Sequence, residues 1–198
     1  VQGAFRFLRR LWTKTHEHAA TGRTEGVIQH DALQSQQKEL RKSVHSTVAK
    51  VSDDLGRRYT FNTAIAAVME LLNLINKYQV SDDTDRLLIQ EALERVVLML
   101  SPIVPHICHQ LWEVLGHDSS IANESWPQAD SAALVSDSIK LVVQVNGKLR
   151  GRIEVAADAS KDDMQTAALA DENVQRFIGD SKLRKVIVVP GKLVNVVI

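Results

Sequence analysis

The sequence predicts an α+β protein: an N-terminal all-α helical bundle followed by a small α/β domain of order β-β-α-β-β. Three observations carry this reading. Apolar residues recur at helical spacing through residues 3–115, the period changes to two near Ser138, and turn or cap residues stand between the periodic stretches. A chain of 198 residues has room for one large or two small domains. The expected division is a bundle over 1–116, an irregular linker over 117–137 and a C-terminal domain over 138–198.

The first helix is expected over residues 3–18, with Ala4, Phe5, Leu8, Leu11 and Trp12 as its apolar stripe. It begins without a Met or an N-cap, as expected of a piece of a longer protein. "ATGRTEGVIQHD" reads as a polar loop. A second helix runs from Asp31, its expected N-cap, to Leu55, and Gly56 stops it. A third spans roughly Thr60–Tyr78. The fourth, from Asp82 to Leu100, ends in "VVLML", apolar nearly all round as a central helix requires. Ser101-Pro102 opens a fifth, with Pro102 and Pro105 both expected in its first turn, where a missing N–H costs little. Gly116 closes it.

"LVVQVNGKLRGRIEV" (141–155) is two Val-rich runs joined by Asn146-Gly147, a hairpin signal. A two-residue turn would mix apolar and charged side chains on each face. A three-residue loop with a bulge at Gly147 sorts them, pairing Val143 with Leu149 and Leu141 with Gly151. One face is then core and the other a cationic strip of Lys140, Lys148, Arg150 and Arg152. Downstream, Ser160 and Asp163 form a capping-box-like helix start, Asp171 is a potential break, and Gly179 an end. "RKVIVV-PG-KLVNVVI" reads as the last strand pair.

The formal net charge of zero excludes nothing, but local charge is segregated. Segment 157–181 holds Lys161 and Arg176 against six acids; the rest of 135–198 holds eight cations against Asp137 and Glu154. Such a field attracts a polyanion even on a neutral protein. Arg offers phosphate a planar fork and Lys a mobile point charge. The candidate anion-binding residues are therefore the hairpin cations and a second group, Lys182, Arg184, Lys185 and Lys192. The same residues would also protect a sheet edge from aggregation, so the residues alone leave both readings open. Only Phe177 follows Trp126 among the aromatics, and it fits the buried stripe of its helix, so contact is expected through phosphate, ribose and shape. Arg6, Arg9, Arg10 and Lys14 on the first helix, and Arg57-Arg58 at a helix junction, are secondary candidates.

The single cysteine, Cys108, rules out an internal disulfide framework and suggests a reducing compartment. "PHICHQ" tempts a metal assignment, but Cys108 leaves the face shared by His106 and His109, and no metal is expected. Trp112 and Trp126 read as core and linker anchors. No nucleophile–base pair or phosphate loop is identifiable from spacing, so no catalytic residue is expected.

Four stretches in order, "GAFRFLRRLW", "FNTAIAAVMELLN", "SPIVPHICHQLW" and "SWP", resemble the C-terminal part of class I aminoacyl-tRNA synthetases of the Leu/Ile/Val/Met branch. "VVQVNGKLRGRI" with "VPGKLVNVVI" is similar to the small C-terminal domain of the bacterial leucyl-tRNA synthetases. The resemblance implies a cytoplasmic ATP-dependent ligase as parent, using ATP and magnesium, with no cofactor in this part. It implies leucine tRNA and the remaining catalytic and editing domains as partners, and neither DNA nor membrane. The signatures His-Ile-Gly-His and Lys-Met-Ser-Lys-Ser are absent, so this stretch is not expected to activate leucine alone. By the same resemblance, the last domain reaches the tRNA elbow and the bundle lies along the anticodon-side limb. Two alternatives remain: the same region of a related synthetase, or a protein-docking module without RNA contact.

Overall fold

The computed structural model describes residues 2–22, 26–135, 138–157, 159–179, 181, 183–189 and 191–198. The chain divides into two compact units, Val1–Val135 and Ser136–Ile198, each with its own apolar core.

In the first unit, α1 (Gln2–Ala20), α2 (Ser35–Gly56), α3 (Phe61–Lys77), α4 (Asp83–Leu100) and α5 (Pro105–Val114) pack as a bundle. The all-apolar end of α4 occupies its middle: Val96, Val97, Leu98, Met99 and Leu100 are all buried. Val44, Val48 and Val51 of α2 and Val68, Leu71 and Leu72 of α3 supply facing stripes. Each such side chain contributes about 1.5–3 kcal/mol.

Three local expectations change. The buried stripe of α1 is Phe7, Leu11, Thr15 and His18, while Phe5 and Trp12 are exposed on an adjacent face. Of the expected stripe, Leu11 is fully buried and Leu8 packs against the core, but two of the four buried positions are polar, so apolar periodicity set the stripe to one side of the true one; His18 is held by Gln90 at 2.8 Å. Helix α2 starts at Ser35 rather than Asp31, because Gln34 and Gln37 cap each other's backbone reciprocally. Only Pro105 lies in the first turn of α5. Val104 before it is non-helical (φ −134°, ψ 64°), since a following proline disfavours the helical region, which leaves Pro102 in the turn outside.

Of the stretch expected as a linker over 117–137, residues 117–134 fold onto the bundle, and 136–137 lie outside the described residues. Ile121 is buried in a short 3-10 turn, and the Trp126 indole donates to Ser52 Oγ at 2.7 Å. Asp130 caps the single-turn helix α6 (Ser131–Leu134), whose Ala133 is fully buried.

In the second unit, the described residues form β1 (Ser138–Val145), β2 (Lys148–Ala156), α7 (Lys161–Ala170), α8 (Glu172–Ile178), β3 (Lys185–Val189) and β4 (Leu193–Val197). The sheet order is β2-β1-β4-β3; β1 runs parallel to β4 and the other neighbours are antiparallel. The two helices cover one face, where Leu141, Val143, Val145, Val194 and Val196 meet Met164, Ala168 and Val174. Ser160 and Asp163 form the anticipated capping box. Asp171 both interrupts the helical stretch and caps α8.

Candidate nucleic-acid interface

The hairpin sorts its side chains only in part as expected, and by a different turn: Leu149, expected in the core, is 52% exposed. Asn146 and Gly147 both have positive φ (49° and 78°), and Val145 pairs directly with Lys148: a two-residue turn. The extra residue sits further along, where the register shifts between Val143 and Gln144 and Arg150 has no ladder partner. Beyond it Val143 faces Gly151, Leu141 faces Ile153 and Ile139 faces Val155. Two close contacts settle the geometry. A Cβ on Gly151 would stand 2.9 Å from Asp171 Oδ1 and 3.0 Å from Val174, so β2 runs tight against the start of α8. The Asn146 side chain accepts from Ile198 N and that of Asn195 from Gly147 N, fastening the turn to β4 and relieving the cost of positive φ at Asn146.

The bulge divides the expected strip. Arg150 lies with its guanidinium 3.8 Å above the Phe177 ring of α8, on the helix-covered side, so it does not share the open face with Arg152. Phe177 is 48% exposed rather than part of the buried stripe. Lys148 stands opposite Val145, on the opposite side from Gln144 and Leu149. On the open face Lys140 opposes Glu154 and Arg152 opposes Val142, with Leu193 and then Val189 continuing across the sheet. The next row is Leu149, Gln144, Asn195 and Ile187, and Lys185 opposes Val197. Positive groups therefore stand at the rim, around a middle of apolar and amide side chains. Arg184 directly precedes β3, and Lys192 occupies the turn before β4. Lys182 lies outside the described residues.

Charge availability separates the candidates. Among the described residues, no carboxylate pairs with Lys148, Arg150, Arg152, Arg184, Lys185 or Lys192. In the bundle, Arg57 is held by both oxygens of Asp53, and Arg58 lies 3.5 Å from Asp54, which also accepts from Lys50. That corner sets three cations against two carboxylates, so both arginines already face an aspartate. Arg6, Arg9 and Arg10 line a shallow groove of about 360 Å³ with Thr13, Glu17 and Asn76, and Arg10 donates to Asn73 at 2.7 Å. Lys14 is half-buried and does not line that groove.

Among the described residues no three His, Cys, Asp or Glu side chains gather as metal ligands. Burial pushes the Cys108 thiol up to about 12, and His109 pairs with Glu113 at 3.5 Å. Trp112 is a core residue stacked on His117. No described helix is long and apolar enough to cross a membrane.

A family model described as the anticodon-binding domain of tRNA ligase matches residues 37–165. Leucine–tRNA ligase of Nitrosospira multiformis is 56% identical over 199 aligned residues, covering 100% of this chain and 23% of that protein. Its counterpart in Pseudomonas aeruginosa is 53% identical, over 100% of this chain and 22% of the relative. The chain thus spans about a quarter of the length of the curated relatives it matches. A solved LeuRS from Agrobacterium radiobacter K84, in ternary complex with tRNA and LeuAMS, aligns with a TM-score of 0.74 at 26% identity. That alignment covers 98% of this chain and 24% of the other.

Proposed function

We propose, for a chain that belongs to the anticodon-binding domain family of tRNA ligases, that these residues are the tRNA-binding C-terminal part of a leucine–tRNA ligase. In this reading they hold leucine tRNA by its backbone and elbow while ATP-dependent aminoacylation and editing proceed in the rest of a cytoplasmic parent enzyme. The observation that carries the reading is a set of cations on the second unit that pair with no carboxylate among the described residues: Lys148, Arg150, Arg152, Arg184, Lys185 and Lys192. Lys140, on the same sheet, and Lys182 complete the primary set. Arg6, Arg9, Arg10 and Lys14 add a secondary contact to the bundle, and Arg57 and Arg58 do so only by exchanging their aspartates for phosphate. Phosphate contacts set register and orientation without reading sequence.

The mechanism is positional. Binding energy gathered far from the reacting atoms fixes the tRNA so that its 3′ end reaches the catalytic or editing pocket. In this reading ATP and magnesium are used by the part of the parent enzyme outside this chain.

The test is backbone footprinting of leucine tRNA by the parent enzyme, with and without Arg152→Ala, Arg184→Ala and Lys185→Ala together. Protection at the elbow is expected to fade while protection by the body persists; an unchanged footprint refutes the assignment. A second reading, protein docking, draws on the apolar middle of the open face, where Ile187 and Val189 are exposed. It predicts that Ile187→Ser disturbs the parent's integrity but leaves the salt dependence of tRNA binding intact.

A further inference from the structure

The sequence contains one Asn-Gly step, Asn146-Gly147, and it stands exposed at the tip of the β1–β2 hairpin. Asparagine before glycine is chemically labile, because glycine carries no Cβ to obstruct the approach of its backbone nitrogen to the asparagine side chain. That nitrogen attacks Cγ and forms a new N–Cγ bond, closing a cyclic succinimide. The carboxamide nitrogen leaves as ammonia, taking up the proton lost from the glycine N–H. Water then opens either carbonyl of the ring to give aspartate or isoaspartate. A Cβ added at Gly147 would meet nothing within 4 Å, so water and base have free access to the step.

Three hydrogen bonds hold both reacting groups on β4. Asn146 N donates to Val196 O at 2.9 Å, Gly147 N to Asn195 Oδ1 at 3.1 Å, and Ile198 N to Asn146 Oδ1 at 3.2 Å. The proton that must leave Gly147 is therefore bound to Asn195. The carboxamide that must fold back over its own peptide is turned instead toward Ile198. The Ile198 bond also polarises the Asn146 carbonyl, which favours attack at its carbon. Geometry outweighs that effect, since the ring closes only when β4 releases the nitrogen and the carboxamide together.

We propose that Asn146 is a deamidation site gated by strand β4. While β4 is in place the step is protected, and local opening of that strand starts the reaction. Either product places a carboxylate in the turn, just before Lys148, Arg150 and Arg152. Isoaspartate also routes the main chain through the former side chain, lengthening a turn that fixes the register of β1 on β2.

The experiment follows aspartate and isoaspartate at position 146 of the full chain in mildly alkaline buffer, folded and unfolded in urea, by peptide mass mapping and isoaspartyl methyl transfer. The folded chain should convert roughly tenfold or more slowly than the unfolded one, the Boltzmann factor of the hydrogen bonds that must open. Asn195→Ala, which removes the acceptor of Gly147 N, should speed the folded reaction roughly two- to tenfold. Gly151→Val, which loosens the same unit away from the turn, should speed it less. Equal rates folded and unfolded, a wild-type rate in Asn195→Ala, or an equal rise in Gly151→Val overturns the gate. Absence of conversion at Asn146 in the unfolded chain overturns the site itself. The consequence for RNA rests on the tRNA-binding reading: converted chain should bind leucine tRNA more weakly than unconverted chain. If unconverted chain binds no tRNA, that reading fails while the rates still decide the gate; if it binds and conversion leaves affinity unchanged, the consequence is refuted and the chemistry stands.

Discussion

Single residues fix the chain where local pattern is ambiguous. Asp85, 2% exposed, accepts from Tyr78 Oη at 2.6 Å, from Ser81 N and Oγ, and from Gln37 Nε2 at 3.0 Å, tying α2, α3 and α4 together. Burial opposes its ionisation, but these hydrogen bonds outweigh that cost and hold the carboxyl at about 2, against an ordinary 3.8. A folded-state value below the unfolded one gives stability that is present above about pH 4 and disappears as pH falls toward 2. Denaturant unfolding across that window should lose about 2 kcal/mol at this site. Asp85→Asn should flatten that part of the acid limb, and equal acid sensitivity in the variant would refute the assignment. Gly151 makes a second test. Its missing Cβ leaves room for Asp171 and Val174, so Gly151→Val should overpack the strand–helix contact and cost about 1–3 kcal/mol. A melt of the second unit checks it, and an unshifted transition contradicts the close approach.

At the scale of elements, the sequence made the periods and stops readable and concealed the places where polar residues do structural work. The five long helices, the strand pairs, Gly116, Gly179 and the Ser160 box follow from periodicity and cap chemistry. The α1 stripe was misjudged because Thr15 and His18 carry no apolar signal yet lie in the core. The hairpin is the clearest case. Sorting of apolar residues correctly required an extra residue in the ladder, but pattern alone could not place it at Arg150 rather than Gly147. The Asn146 and Asn195 side chains that hold the turn act across some fifty residues. Asn146→Ala should therefore destabilise the second unit by roughly 1–3 kcal/mol, through strain at φ 49° and the lost bond to Ile198. Asn146→Gly should recover most of the strain component. Equal losses in the two variants would show that backbone strain plays no part.

For the whole molecule, two cores imply two reporters. Cys108 is fully buried in the bundle with its thiol pushed up to about 12, so thiol labelling in native buffer should follow opening of the first unit alone. Gly151→Val should leave the labelling rate unchanged while it lowers the second unit's melting temperature; a matched rise in labelling would show that the two cores unfold together. The strongest long-range device, Arg41 and His45 on Asp130, spans more than eighty residues, and no local pattern linked them. The cations of the proposed tRNA surface were legible by type because they cluster in sequence. Their distribution between the two faces was not, because one bulge decides it.

The salt dependence of leucine tRNA affinity tests the central claim most directly, measured for the chain and for its Arg150→Ala/Arg152→Ala variant. The logarithmic slope should become shallower by about 0.7–0.9 for each phosphate contact removed, with the fold intact. Identical slopes, with affinity unchanged across the salt series, would contradict backbone contact by the second unit.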